Sequence, residues 1–476
     1  MSIPLFALVP LTAFLLSALQ PAAPPAPAAT ETPASQQLRA WLLAFNTADP
    51  AVLRPFLEAH YPTQLERLDP EVDFSRRIGG FQVRKLEAAT PTTATLLVQE
   101  GRSDQFARLT IEVDAAPPHR IKDVARQPVP RPAEFALTRL TDAALADAVR
   151  GKADAEAKAD RFSGAVLVTR RGKTLVSGAY GLADREKKTA NTLDTKFRIG
   201  SMNKMITAVA TLQLAQAGKI KLTEPLGTYL PDYPNKEVAS KVTIHQLLTH
   251  TGGTGNIFGP EFDRHRLELR TLTDYVTLYG ARAPAYEPGA RWAYSNYGFL
   301  LLGVVVERVS GRSYYDYVRE RIYVPAGMTG TASQPEDEAV PARSAGYMLR
   351  ENAWRNNAET LPYRGTSAGG GYSTVGDLAK FADALLGHTL LNASHTTLAL
   401  AGKVETGGPD NKYAYGFMDV TENGVRTVGH GGGAPGMNGE LTIFPDSGVV
   451  IVVLANLDPP AASRVAQFIK NRVTVK

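Results

Sequence analysis

The sequence predicts an α/β protein in two parts: a small α+β unit, then a larger domain whose single sheet is assembled from its two sequence ends and packed against a helical subdomain. Three observations predict it. Helical spacing followed by alternating strand patterns fills residues 35–127. A hairpin pattern, GAVLVTRRGKTLVSGAYG, opens the second part, and ELTIFPDSGVVIVVLAN closes it with helical and loop segments between. The 476 residues exceed one ordinary domain, and a composition 44% hydrophobic and 21% charged is able to fill two cores.

Taken in order, residues 1–29 carry LFALVPLTAFLLSAL, too short for a comfortable membrane span, then a small, Pro-rich stretch. This reads as a secretory signal peptide cleaved near Ala28, with an uncleaved anchor as the alternative because no Lys or Arg precedes the apolar run. An exported protein, periplasmic or extracellular and without a stable span once the signal is removed, is the expectation. Residues 30–34 read as a flexible segment. In 35–61, apolar residues at helical spacing break at Asp49 and Pro50, giving two short helices. FQVRKLEA, TATLLVQEG and FARLTIEVD then alternate as strands with one wet face, followed by a last short strand and a Pro-rich linker over 128–136. The order of elements in 35–127 resembles the NTF2-like, cone-shaped domains. From 137 to 476 run a helix, the hairpin, a helix after Ser201, further helices to about 400, the closing strands and a final helix, AASRVAQFIKNRV.

Composition excludes several functions. The 52 Lys and Arg against 47 Asp and Glu give a net +5 spread along the chain, with no basic block to track a phosphate backbone, so no nucleic-acid partner is expected. The absence of cysteine rules out disulfides, a thiol nucleophile and a lipid-modified Cys. The eight histidines contain no H-E-x-x-H, and His245 and His250 flank an apolar QLLT with no neighbouring carboxylate; they read as packing or loop-fixing groups, and neither metal nor other cofactor is expected.

Three segments carry chemistry. In FRIGSMNKMITAVATLQL, Ser201 precedes Lys204 by three positions at the start of a helix with an apolar face. Ser201 is there either an N-cap or a nucleophile. The second reading has its own physics: residues i and i+3 share a helix face, so the Lys204 amine reaches the Ser201 hydroxyl, and helix-start N–H groups favour an oxyanion. Lys204 acts as a base only if burial or a cationic neighbour depresses its pKa. In EPGARWAYSNYGFLLLG, Tyr294 and Asn296 lie between a Pro-Gly turn and a helix, as packing and cap or as site residues. In VGHGGGAPGMNG, His430 precedes Gly431, Gly432 and Gly433, either a simple loop or a close backbone approach to a ligand.

In this order, SMNK, YSN and HGG resemble the S-x-x-K, Y-x-N and K-T-G set of the serine β-lactamase and penicillin-binding family, in its class C-like branch with D-alanyl-D-alanine peptidase and esterase relatives. IHQLLTHTGG, VPAGMTGT and GGYSTVGDLAKFADALL look like the same family's connecting segments, and the match covers about 140–476. The resemblance implies a β-lactamase-like fold and a cofactor-free serine hydrolase acting on a small ester, amide or peptide. It implies Ser201 as the acylated nucleophile, Lys204 as its proton partner, and Tyr294 as a tyrosinate that shuttles the proton. Asn296 would bind a substrate carbonyl or the Lys204 ammonium, the Ser201 and Gly433 amides would form an oxyanion hole with Gly432 beside them, and His430 would complete the electrostatics around Tyr294. A His where many members carry Lys is only partly charged at neutral pH, which weakens β-lactam hydrolysis and leaves esterase activity ahead of D-peptide cleavage. A sensor acylated without turnover is the alternative from another class.

GTSAG at 365–369 and HGGG at 430–433 also match the nucleophile elbow and oxyanion motif of lipase-type hydrolases. No buried strand pattern precedes Ser367, and the HGGG segment follows the serine instead of preceding it. Ser367 is expected to shape a loop beside the cleft.

Overall fold

The computed structural model describes residues 31–350 and 353–475, so the signal segment expected over 1–29 lies outside the described residues. The chain divides into two compact units that meet in sequence at Val129 and Pro130, each with its own hydrophobic core. No helix among the described residues is long and apolar enough to cross a membrane.

In the first unit, α1 (Pro33–Asn46) starts at a reciprocal capping box between Thr32 and Ser35, and α2 (Pro50–His60) starts at Asp49, whose side chain accepts from Ala51 N. A third helix, α3 (Leu68–Ile78), ends on left-handed Gly79. Four antiparallel strands follow in the order β1 (Phe81–Ala89), β2 (Thr93–Glu100), β3 (Phe106–Val113) and β4 (Ile121–Val129). The last strand is not short: it pairs with β3 as far as Val129 opposite Phe106, so the first two positions of the expected linker are strand. Beneath the sheet the Arg126 guanidinium lies 5.2 Å from Trp41 and 5.3 Å from both Phe45 and Phe74, and pairs with Glu71.

In the second unit α4 (Asp142–Lys158), capped by Thr141, leads into the hairpin β5 (Gly164–Arg170) and β6 (Lys173–Tyr180), turned at Arg171 and Gly172 as the sequence predicts. Next comes α5 (Asn203–Gln216), then α6 (Asn296–Ser310) and α7 (Val375–Leu386), with short helices and loops between them. The chain returns through β7 (Val404–Glu405), β8 (Asn411–Tyr413), β9 (Met418–Glu422), β10 (Val425–Ala434), β11 (Met437–Phe444) and β12 (Val449–Ala455) to α8 (Ala461–Lys470). These strands form one antiparallel eight-stranded sheet in the order β7-β8-β9-β10-β11-β12-β5-β6, so β12 joins the two sequence ends. All seven residues of β12 are buried because both sheet faces are covered. Val166, Val168, Ile451 and Val453 face a core with α4 and α8, while Leu441, Val450 and Val452 face the helical region that holds α5 and α6.

One expectation changes in kind. The α5 pattern predicts one apolar face, yet every residue from Met202 to Leu212 is buried. The helix lies between β10 and α6 and is covered all round, which the small residues Ala208 and Ala210 permit.

Candidate active site

Phe197 and Arg198 pair with Ser373 and Tyr372, and the chain then bends through Gly200, at φ +52°, into a 3-10 turn, Gly200–Met202, that runs into α5. Ser201 makes no capping bond to either element. The cap reading therefore fails, and the hydroxyl is free to meet side chains. One turn on, Lys204 is fully buried with its Nζ 3.2 Å from Ser201 Oγ and 2.7 Å from Asn296 Oδ1, and it also donates to the Ala368 carbonyl. Burial pushes the Lys204 pKa well below that of an ordinary lysine. A neutral amine has two N–H groups and one lone pair. Asn296 Oδ1 and Ala368 O can only accept, so they take the two N–H groups and leave the lone pair for the Ser201 hydroxyl proton.

Ser295 supplies the cap of α6, accepting from Gly298 N at 2.9 Å, which frees Tyr294 and Asn296 on either side of it. Asn296 Nδ2 donates to Asn256 Oδ1 at 2.9 Å, which turns Oδ1 toward Lys204. Tyr294 stands beside both: the Lys204 Nζ lies 4.6 Å from its ring centre, and the Ser201 hydroxyl favours its ionised form. Burial pushes the Tyr294 pKa up to about 12. That direction favours the phenol over the expected tyrosinate, because apolar surroundings penalise the anion more than the Ser201 hydroxyl favours it.

On β10, His430 donates from Nδ1 to its neighbour's carbonyl, Gly431 O, at 2.6 Å, so Nε2 accepts from the Tyr413 hydroxyl at 3.1 Å. Burial first, and Lys204 in its protonated form second, lower its pKa to about 4. His430 is thus neutral at pH 7, where partial charge was expected. Gly432 and Gly433 bring the strand against the serine turn. A Cβ on Gly432 would stand 2.0 Å from Ile199 O, and one on Gly200 would stand 3.2 Å from Gly433 N. Residues 199–201 and 432–433 are in backbone contact, which no side chain other than hydrogen allows.

The seven site residues read from sequence thus fall into one cluster: Lys204 is hydrogen-bonded to Ser201 and Asn296, the Tyr294 ring lies 4.6 Å from Lys204 Nζ, Gly432 and Gly433 abut the serine turn, and the His430 ring lies 6.3 Å from that of Tyr294. Sequence reasoning missed the Ala368 carbonyl, Asn256 and Tyr413. A backbone carbonyl leaves no mark in a sequence, and Tyr413 reaches His430 only through the stacking order of the sheet. Ser367 is fully buried against Gly303, its Oγ without a partner among the described residues. Its own carbonyl accepts from Thr207, and the loop it anchors packs Gly369 and Gly370 on Gly200. It holds the Ala368 carbonyl in place and has no access to a substrate.

Comparison with known proteins bears on the family and the fold. Residues 144–476 match the family model Beta-lactamase. Putative penicillin-binding protein PbpX of Bacillus subtilis (strain 168) is 30% identical over 296 residues, 62% of this chain and 70% of that protein. A penicillin binding protein from Bacillus halodurans superimposes with a TM-score of 0.61 at 30% identity, over 69% of this chain and 99% of that one. A D-stereospecific amidohydrolase from Streptomyces sp. does so with a TM-score of 0.58 at 30% identity, over 67% and 97%. With its antiparallel sheet, its buried central helix and these matches, the chain belongs to the β-lactamase family of serine hydrolases.

Proposed function

We propose that the protein hydrolyses uncharged esters or amides through an acyl-enzyme on Ser201. The observation that carries this reading is the fully buried Lys204, whose Nζ lies 3.2 Å from Ser201 Oγ and against two fixed acceptors, so that as a free amine it turns its lone pair to Ser201. In acylation Lys204 takes the Ser201 proton as Oγ attacks the carbonyl, and Tyr294, beside Lys204, protonates the leaving group and regains a proton from the Lys204 ammonium. The Ser201 and Gly433 amides face the developing oxyanion, a contribution of about 2.7–4 kcal/mol per donor. Water then releases the acyl group by the same steps in reverse.

The neutral His430 favours substrates without a free carboxylate. A Lys at that position holds a permanent cation for such a group, whereas a buried imidazole with a pKa of about 4 holds none. Simple esters come first. Amides of D-amino acids are the second reading, favoured by the 30% identity to the D-stereospecific amidohydrolase. D-peptides with a free terminus and penicillins rank below both. The protein would act after export, with a small molecule as its partner.

Intact-protein mass spectrometry after exposure to a fluorophosphonate and, separately, to a penicillin tests the nucleophile, with Ser201→Ala and Ser367→Ala alongside. An adduct lost only in Ser201→Ala is the expected result; one lost only in Ser367→Ala would overturn the reading. Turnover of p-nitrophenyl butyrate and of a D-amino-acid amide then separates the two substrate classes, and labelling with no turnover of either would point to a sensor.

A further inference from the structure

His250 brackets Tyr294 on both sides. It stands second in the THTGG loop with a left-handed backbone, φ +59°, unusual for any residue but Gly or Asn, and it is 1% exposed. Its carbonyl accepts from Ala293 N at 2.9 Å and its ring Nδ1 accepts from Ser295 N at 3.1 Å, so the residue before Tyr294 and the residue after it are both tied to one side chain and its own peptide. The Tyr286 hydroxyl adds a third bond to the same carbonyl, at 3.3 Å. The imidazole itself lies against the Tyr294 ring with centroids 4.3 Å apart, and Phe299 and Tyr413 pack on it at 5.0 and 4.5 Å. Two peptide bonds and the ring face of Tyr294 are therefore all fixed by His250.

We infer that His250 is a positioning residue for Tyr294, holding its phenol in line with Ser201 through the Ser295 N–H···Nδ1 bond and the ring contact. The inference rests on the reading of Tyr294 as proton donor. It requires an Nδ1 without a proton, because only a bare nitrogen accepts from Ser295 N–H; burial keeps the ring in that state by lowering its pKa well below the ordinary value. A hydroxyl displaced by about 1 Å from its reacting neighbour loses on the order of a hundredfold in rate.

Three replacements separate the contributions. His250→Asn puts Oδ1 where Nδ1 stands, the same number of bonds from the backbone, and tolerates the left-handed conformation. His250→Gln moves the acceptor one bond further out, toward the place of Nε2. His250→Phe keeps the ring and removes the acceptor. Measured with p-nitrophenyl butyrate, and by fluorophosphonate labelling rate in parallel, kcat is expected to fall roughly 10- to 100-fold in His250→Phe and His250→Gln with KM within about threefold, and to recover at least partly in His250→Asn. The decisive measurement is a double-mutant cycle. In the Tyr294→Phe background, His250→Phe should cost less than about twofold more, because a residue that acts through Tyr294 has nothing left to position. An equal loss in both backgrounds overturns the inference, as does wild-type kcat in a folded His250→Phe, or His250→Asn performing no better than His250→Gln. If Tyr294→Phe alone leaves kcat unchanged, it is the proton-donor reading that fails, and the positioning role falls with it.

Discussion

Gly432→Ala should disable the enzyme without touching a hydrogen-bonding side chain. The new Cβ would stand 2.0 Å from Ile199 O, and real Cβ contacts essentially never fall below 3.0 Å, so strand β10 and the serine turn must part by at least about 1 Å. Both partners are backbone, inside an eight-stranded sheet on one side and at the head of a buried helix on the other, and neither has a flexible end that can yield. Overpacking of this kind costs about 1–3 kcal/mol of stability. The shift separates the Gly433 amide from Ser201 by a similar distance, and a 1 Å misplacement costs roughly a hundredfold, or about 2.7 kcal/mol of transition-state stabilisation. The control is one residue away. A Cβ on Gly431 meets only Glu440 Oε2, at 2.7 Å, the far end of a flexible side chain on the opposite face of the sheet, so Gly431→Ala should stay within about tenfold of wild type. Steady-state kcat and KM with p-nitrophenyl butyrate, alongside thermal melts, decide the matter. Gly432→Ala with wild-type kcat and an unshifted melt, or Gly431→Ala losing as much, would refute the idea that backbone contact at Gly432 sets the site.

Asn296→Asp places a carboxylate 2.7 Å from Lys204 Nζ and so favours the ammonium; kcat/KM at pH 7 should fall at least tenfold and rise again with pH, whereas an unshifted pH profile would show that the free amine is not required. Because the Lys204 pKa is depressed, kcat/KM of the wild type should rise with pH through that depressed value and be flat below the 10.5 of an ordinary lysine. His430 has a folded pKa of about 4 against 6.5 unfolded, so between those values the unfolded chain binds a proton that the folded one does not. Stability should then fall as pH drops from 6.5 toward 4, by on the order of 3 kcal/mol from this group, read from urea midpoints in wild type against His430→Gln. A chain beginning at Pro130 keeps the cores of the second unit intact and should fold and hydrolyse p-nitrophenyl butyrate within roughly threefold of the full chain; insolubility or loss of turnover would count against independent units.

What the sequence reveals of this site follows from how far each signal travels along the chain. The Ser201 to Lys204 spacing is a local rule of helices, and the hairpin at Arg171 and Gly172 a local rule of strands; both are readable without a third dimension. The helix α3 was not foreseen from the sequence, although its Pro70 is well placed in a first turn. Charge states were the least legible feature. Tyr294 as phenol and His430 as neutral imidazole depend on burial by α5, α6 and β8, elements up to two hundred residues away in sequence, and motif matching carries no information on dielectric. His250 was visible in IHQLLTHTGG as a loop-fixing group, but what the loop is fixed to, the two peptides around Tyr294, lies more than forty residues downstream.

The pairing of β12 with β5 sets the order of events as the protein is made. Val449 lies opposite Arg170, about 280 residues apart in sequence, and β10 and β11 stand between that seam and the rest of the sheet. The hairpin that opens the domain can form early, yet it has no neighbour to complete it until the last strands leave the ribosome. Ser201 and Lys204 are synthesised long before Gly432 and Gly433, so the proposed nucleophile and oxyanion donors meet only when the sheet closes. Hydrolytic activity should for that reason report on a closed sheet, and a stalled or shortened product ending before β12 should carry the proposed nucleophile without the means to use it.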